Sequence, residues 1–175
     1  MSTPTFTPKT VYVIYIASTP DKVWQALISS EFTKQYFFGR SIEIEPKEGG
    51  SFILRMPDGR VDVKGTVTEW SPPRRLSVTW TVDWIPQMRS LPECLITYDI
   101  ELAGQSVKLT MTEAHQWDVP EDLLSGGRAG WPAILSSLKS VLETGKPLLI
   151  EMQPPKEMLA ALQRLSGDEE RAKTQ

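Results

Sequence analysis

The chain holds one cysteine and one histidine in 175 residues. A lone Cys94 makes no intrachain disulfide and no Cys-rich metal site. A lone His115 rules out the usual multi-histidine zinc centres, so neither metal nor cofactor is expected. Charge of one sign is also missing. Nineteen basic side chains against 22 acidic leave a net charge of -3, which provides no basic footprint for nucleic acid and no polybasic patch for anionic lipid. No segment approaches the roughly 18 consecutive apolar residues of a membrane-spanning helix, and the opening MSTPTFTPKT has no apolar signal region. G-x-S-x-G, H-E-x-x-H, the Walker loop and G-x-G-x-x-G are all missing. A cytoplasmic protein without nucleic-acid or membrane partners is the expectation.

What is present concentrates in Arg60–Trp84, RVDVKGTVTEWSPPRRLSVTWTVDW. Leu76, Val78, Trp80, Val82 and Trp84 alternate with Ser77, Thr79, Thr81 and Asp83. A period of two marks a strand with one dry face and one wet face. Pro72 and Pro73 end the strand before it, because neither donates to a sheet ladder. The result is a hairpin with bulky apolar groups on a single face, and something must cover them.

The rest of the chain supplies the cover. Lys9–Ala17 is rich in β-branched and aromatic residues and reads as a first strand with apolar side chains on both faces, both expected to be covered. In STPDKVWQALIS, Thr19 or Ser18 can cap a helix, Pro20 suits its first turn and Asp21 its positive end. A second short helix spans Glu31–Phe37 and ends at Gly39. Strand character then recurs in Ser41–Glu45, Ser51–Met56, Arg60–Trp70, Arg74–Trp84, Glu93–Leu102 and Gln105–Glu113. Turn residues separate these segments, as an antiparallel meander requires. Ala114–Gly130, with three glycines, reads as a loop. From Trp131–Pro132 to Thr144, residues Trp131, Ile134, Leu135, Leu138, Val141 and Leu142 form a helical stripe, closed by Gly145.

Period-two parity points one set of side chains inward. It comprises Phe52, Leu54 and Met56; Val61, Val63 and Val67; Leu76, Val78, Trp80, Val82 and Trp84; Cys94, Ile96, Tyr98 and Ile100; and Val107, Leu109 and Met111. One helix about 10 Å across covers few of seven strands spaced about 4.8 Å apart. The sheet must curl round the helix, and a gap can remain between them. Burying one indole of about 200 Å² contributes at most ~5 kcal/mol, so these aromatics either pack solid or hold an apolar guest.

Four phrases in order, ASTPDKVWQAL, GGSF, GTVTEWSPPRRLSVTW and GWPAILSSLKSVLE, resemble the START-like (SRPBCC) superfamily. The resemblance is to its branch related to the C-terminal domain of the activator of heat-shock-protein-90 ATPase, and it covers roughly residues 9–146. It implies an α+β helix-grip fold, a curved antiparallel sheet of about seven strands wrapped around a long C-terminal helix. It also implies a cavity that binds hydrophobic small molecules. Polyketide cyclase- or hydrolase-like chemistry in the same cavity and a co-chaperone-like interaction module are the alternatives. The chain lacks the large N-terminal domain of the eukaryotic co-chaperone, which weighs against a chaperone partner. Residues 1–146 are expected to form the domain. Residues 147–175 would be an extension with a short helix, its apolar stripe Met158, Leu159, Leu162 and Leu165, and a frayed charged end. That helix docks on its own domain, makes a homodimer contact or lids the cavity.

Candidate site residues follow from parity. Glu113 continues the inward row of Val107, Leu109 and Met111, and a carboxylate facing an apolar hollow suits general acid or base work; otherwise it turns out to water or to Arg128. His115, just past that strand, can hydrogen-bond a guest at the mouth, or is merely solvated. If there is catalysis, Glu113 and then His115 carry it. Trp80, Trp84, Met56 and Met111 would line the cavity or fill core, with Trp131 beneath the following loop. Tyr98 would offer its hydroxyl to a ligand, to Glu113 or to backbone. Phe37 and Phe38 could gate one end. Cys94 reads as a small buried hydrophobe. A void below about 300 Å³ counts against any sizeable ligand.

Overall fold

The computed structural model describes residues 3–175; Met1 and Ser2, the start of the expected domain, lie outside the described residues. The elements run β1 (Thr7–Ile16), α1 (Pro20–Ile28), α2 (Ser30–Tyr36), β2 (Ser41–Ile44), β3 (Ser51–Arg55), β4 (Val61–Ser71) and β5 (Arg75–Val82). A single 3-10 turn (Pro86–Met88) precedes β6 (Cys94–Ala103), β7 (Ser106–His115), α3 (Glu121–Thr144) and α4 (Lys156–Lys173). All seven strands form one antiparallel sheet in the order β1-β7-β6-β5-β4-β3-β2. The meander is as the turn residues require, and β1 returns to close the far edge beside β7. This is the α+β helix-grip architecture, with two short helices after the first strand and a long helix across the inner face.

The inner face follows the parity reading through the middle of each strand. Val78, Ile96 and Glu113 lie in one cross-strand row, and Leu76, Tyr98 and Met111 in the next. All six are buried. Three register shifts bend the sheet, in β1 near Lys9, between β3 and β4 near Asp62, and in β4 near Thr68. An extra residue kinks a strand and strengthens its twist. The shift near Asp62 also breaks the alternation, so Asp62 and Val63 are both buried. Gly65 has no room for a side chain: a Cβ there would meet the Thr79 carbonyl oxygen at 1.8 Å. Gly65 pairs with Phe52, whose ring meets Trp80 at 5.6 Å.

Three expectations need correction. The outer face of β1 is not covered: Val11, Val13 and Tyr15 are exposed, because β1 is an edge strand and the helices pack on the other side. The long helix starts ten residues before Trp131, at Glu121, and takes in Gly126, Gly127 and Gly130. Glycine is a poor helix former, but a Cβ on Gly126 would stand 3.4 Å from Met158 Sδ, and one on Gly127 3.0 Å from Glu113 Oε2. At Gly127 the close approach of Glu113 leaves little room for a methyl group, whereas at Gly126 one would make ordinary contact. Finally, α4 continues through the charged segment to Lys173. It docks on α3 through Met158 and Ala161, which pack with Val119, Leu123 and Leu124. Arg164 reaches back to Asp122, and Leu159 faces solvent.

Other local readings agree with the structure. The Thr19 side chain accepts from Lys22 N at the start of α1, Pro20 occupies the first turn, and Gly145 ends α3 in the left-handed region. Trp131, Ile134, Leu135, Leu138 and Val141 are the buried stripe of α3. No helix among the described residues is long and apolar enough to cross a membrane.

Candidate functional site

The sheet–helix interface has a filled end and a hollow end. At the filled end α1, α2 and the C-terminal half of α3 press on β5, β6 and β7, and the void remaining beside Tyr36, Phe37 and Tyr98 is only about 20 Å³. At the other end, where β5 stops, β6 begins and β7 stops, lies a half-open cavity of about 270 Å³. Trp80 and Trp131, 5.5 Å apart, form the partition. Phe37 buttresses both indoles from the filled side, at 6.1 Å and 5.7 Å.

The walls of the hollow come from four segments. Cys94 and Ile96 continue its floor. The β5–β6 connection contributes Trp84, Ile85, Met88 and Leu91. Trp117 and Val119 precede α3, and Leu123, Gly126 and Gly127 belong to its first turns. Met158 comes from α4. Gln87 in the β5–β6 connection donates to Ser166 in α4 at 2.7 Å, which ties two of these walls together.

Polar chemistry gathers at one edge. Glu113 is 8% exposed and accepts from His115, with Nε2 and Oε1 2.8 Å apart. Both side chains lie on the same face of β7, two residues apart, because the strand runs on to His115. The other ring nitrogen, Nδ1, is buried and has no partner among the described residues. Thr10, opposite Glu113 on β1, also has a buried hydroxyl without a partner. Tyr12 is held above the usual phenol range, by burial first and then by the Glu113 carboxylate, with Arg128 opposing. Arg128 itself pairs with Glu121 rather than with Glu113.

The remaining candidates divide. Trp80, Trp84 and Trp131 line the cavity together with Glu113 and His115; Trp84 lies beyond the end of β5 and is 43% exposed. Tyr98 does not reach Glu113. It sits in the filled end beside Trp131, and burial pushes its hydroxyl well up. Met111 is core, fully enclosed. Met56 lies past the end of β3, where the register shift spoils the parity, and lines none of the hollow. Phe37 and Phe38 make no gate. Phe38 and Gly39 both take positive φ and reverse the chain, so Phe37 turns into the core while Phe38 lies at the surface with Arg40 5.9 Å from its ring. Cys94 is buried, and burial followed by the Glu113 charge drives its thiol far up.

Parity missed Asp62. It lines the cavity because of the register shift, and Arg40 neutralises it at 2.7 Å. The Glu113–His115 pair was visible as E-x-H on one strand face, had β7 been extended by two residues. Met158 and Trp117 lay outside the elements from which the cavity was inferred.

An apolar pocket with a buried carboxylate–imidazole pair can hold a compact molecule, orient one hydrogen-bonding group and move a proton. At about 270 Å³ it falls below the roughly 300 Å³ set as a lower bound for a sizeable ligand. Long-chain lipids do not fit inside it.

Solved structures share this architecture. A protein of Mesorhizobium loti is 22% identical, with a TM-score of 0.62 over 76% of this chain and 96% of that one. The Aha1 dimer from Colwellia psychrerythraea is 20% identical, with a TM-score of 0.61 over 78% and 96%. An Hsp90 activator from Plasmodium falciparum is 19% identical, with a TM-score of 0.59 over 77% and 96%. At these identities the likeness is one of fold. No curated protein matches the chain. The family model described as Activator of Hsp90 ATPase homolog 1-like protein matches residues 17–143, more than two thirds of the length, and the chain belongs to that family.

Proposed function

We propose that the chain binds a compact, largely apolar molecule in the hollow beside Glu113 and His115. One observation carries the reading: an aromatic-walled cavity of about 270 Å³ that ends on a buried carboxylate–imidazole pair. Native mass spectrometry after gentle purification tests it. A copurifying low-mass adduct, lost on Trp131→Ala, supports it. A clean apo mass, together with no amide shift around the cavity on adding a panel of small aromatic compounds, sinks it.

A second reading is acid–base catalysis on the same guest, favoured by the unpartnered Nδ1 of His115. Glu113→Gln separates the two, because it would abolish turnover while leaving the affinity for a neutral guest within a few-fold. A chaperone-directed role is a third reading. It rests on the family description and on the exposed apolar segment Leu148–Met152. Stimulation of a chaperone ATPase that survives Trp80→Ala would favour it over the other two.

A further inference from the structure

We propose that the guest is an organic cation, a compact aromatic amine whose ammonium group donates to Glu113. This rests on the reading that the cavity takes a small molecule, and it specifies which kind. Four of the six tryptophans, Trp80, Trp84, Trp117 and Trp131, line this one hollow. The other two, Trp24 and Trp70, meet edge to face at 5.0 Å in the core. Indole faces attract cations, and clustered aromatic walls are how ammonium groups are recognised without a full set of hydrogen bonds.

Charge points the same way. The charged side chains lining the hollow are Asp62 and Glu113, and no lysine or arginine joins them. Arg40 answers Asp62. Among the described residues Glu113 has no lysine or arginine partner: its hydrogen bond, through Oε1, is to His115, and Arg128 is held by Glu121. Among the described residues Oε2 accepts nothing. It faces Gly127, where even a methyl group would stand only 3.0 Å away. That side of Oε2 is closed by α3, and a guest reaches the carboxylate from the hollow, which Glu113 lines together with Trp131. An N–H donor placed there satisfies Oε2 while its aromatic body lies among the indoles. A carboxylate or phosphate on the guest would meet Glu113 as a like charge, so the same edge excludes anions.

Three indoles with equivalent bodies and different arms test this on the full-length protein by calorimetry at neutral pH and low salt: tryptamine, the neutral tryptophol and the anionic indole-3-acetate. Tryptamine should bind at least tenfold more tightly than tryptophol, and indole-3-acetate most weakly. Glu113→Gln should bring tryptamine to the level of tryptophol and leave tryptophol within about twofold. Gly127→Ala keeps the helix and presses a methyl group on Oε2 at 3.0 Å, which displaces the carboxylate, so it should weaken the same preference and serves if Glu113→Gln does not fold. Tryptophol binding as tightly as tryptamine would overturn the cation while leaving a ligand cavity intact. A tryptamine preference that survives both substitutions would overturn the role of Glu113. If none of the three binds, both this inference and the cavity reading fall.

Discussion

The two ends of the sheet–helix interface use the same residue types to opposite effect. At the filled end, Leu76, Leu109, Met111 and Leu138 have almost no exposed surface, and three helices supply enough side-chain volume to close the gap. At the hollow end the sheet is equally apolar, but α1 and α2 do not reach it, and only the first turns of α3, Met158 of α4 and the connecting segments stand opposite. The lesson is that the helices standing opposite decide whether this interface fills. The sheet keeps its greasy face in either case.

Substitutions that break this contrast should show the largest effects. Trp131→Ala removes the partition and half of one wall; it should cost about 3–5 kcal/mol in denaturant unfolding, and any ligand affinity with it. Leu138→Ala, at the filled end and 0% exposed, should cost about 2–5 kcal/mol. Met88→Ala, at the rim of the hollow, should cost about 0.5 kcal/mol or less. If the two cost the same, the ends do not differ as described. Asp62→Ala leaves Arg40 half-buried without its carboxylate and should destabilise by about 1.5–3 kcal/mol, with the loss reduced in Arg40→Met/Asp62→Ala.

Cys94 gives a finer probe. Burial holds its folded thiol far above the ordinary thiol value of 9.0, so the folded state favours the neutral form. The corresponding stability is complete below about pH 9 and declines as pH rises beyond it towards the folded value. Native protein should therefore resist thiol labelling at pH 8, and chemical denaturation midpoints should fall between pH 9 and 10.5 in the wild type more than in Cys94→Ala. Equal pH dependence would mean that Cys94 is wetter than its burial implies. The smallest effect belongs to Leu149→Ser, 97% exposed, which should shift stability by less than about 0.5 kcal/mol.

Much of the frame was legible from alternation alone. Strand existence, inward parity through Leu76–Trp80 and Cys94–Ile100, the stripe of α3 and its Gly145 stop all follow from local periodicity. What escaped was set by partners distant in sequence. Gly126 and Gly127 read as loop because glycine is a poor helix former, while what Gly127 accommodates is Glu113, on a strand the local sequence does not connect to it. Asp62 read as outward because one extra residue opposite Arg55 turns it over. The outer face of β1 read as covered because apolar content says nothing about which edge a strand occupies. Phe37 and Phe38 read together as a gate, but the positive φ of Phe38 sends the two rings in different directions. The site was half visible: the indoles and Glu113 came from parity, while the pairing with His115 and the walls from Trp117 and Met158 needed the tertiary arrangement.

The bond between Gln87 and Ser166 has a consequence for how such molecules diversify. It joins the β5–β6 connection to the last helix, and neither belongs to the load of the sheet. A descendant could exchange either piece, widening or narrowing the chamber for a new occupant, while the curved β-framework and its folding stay untouched.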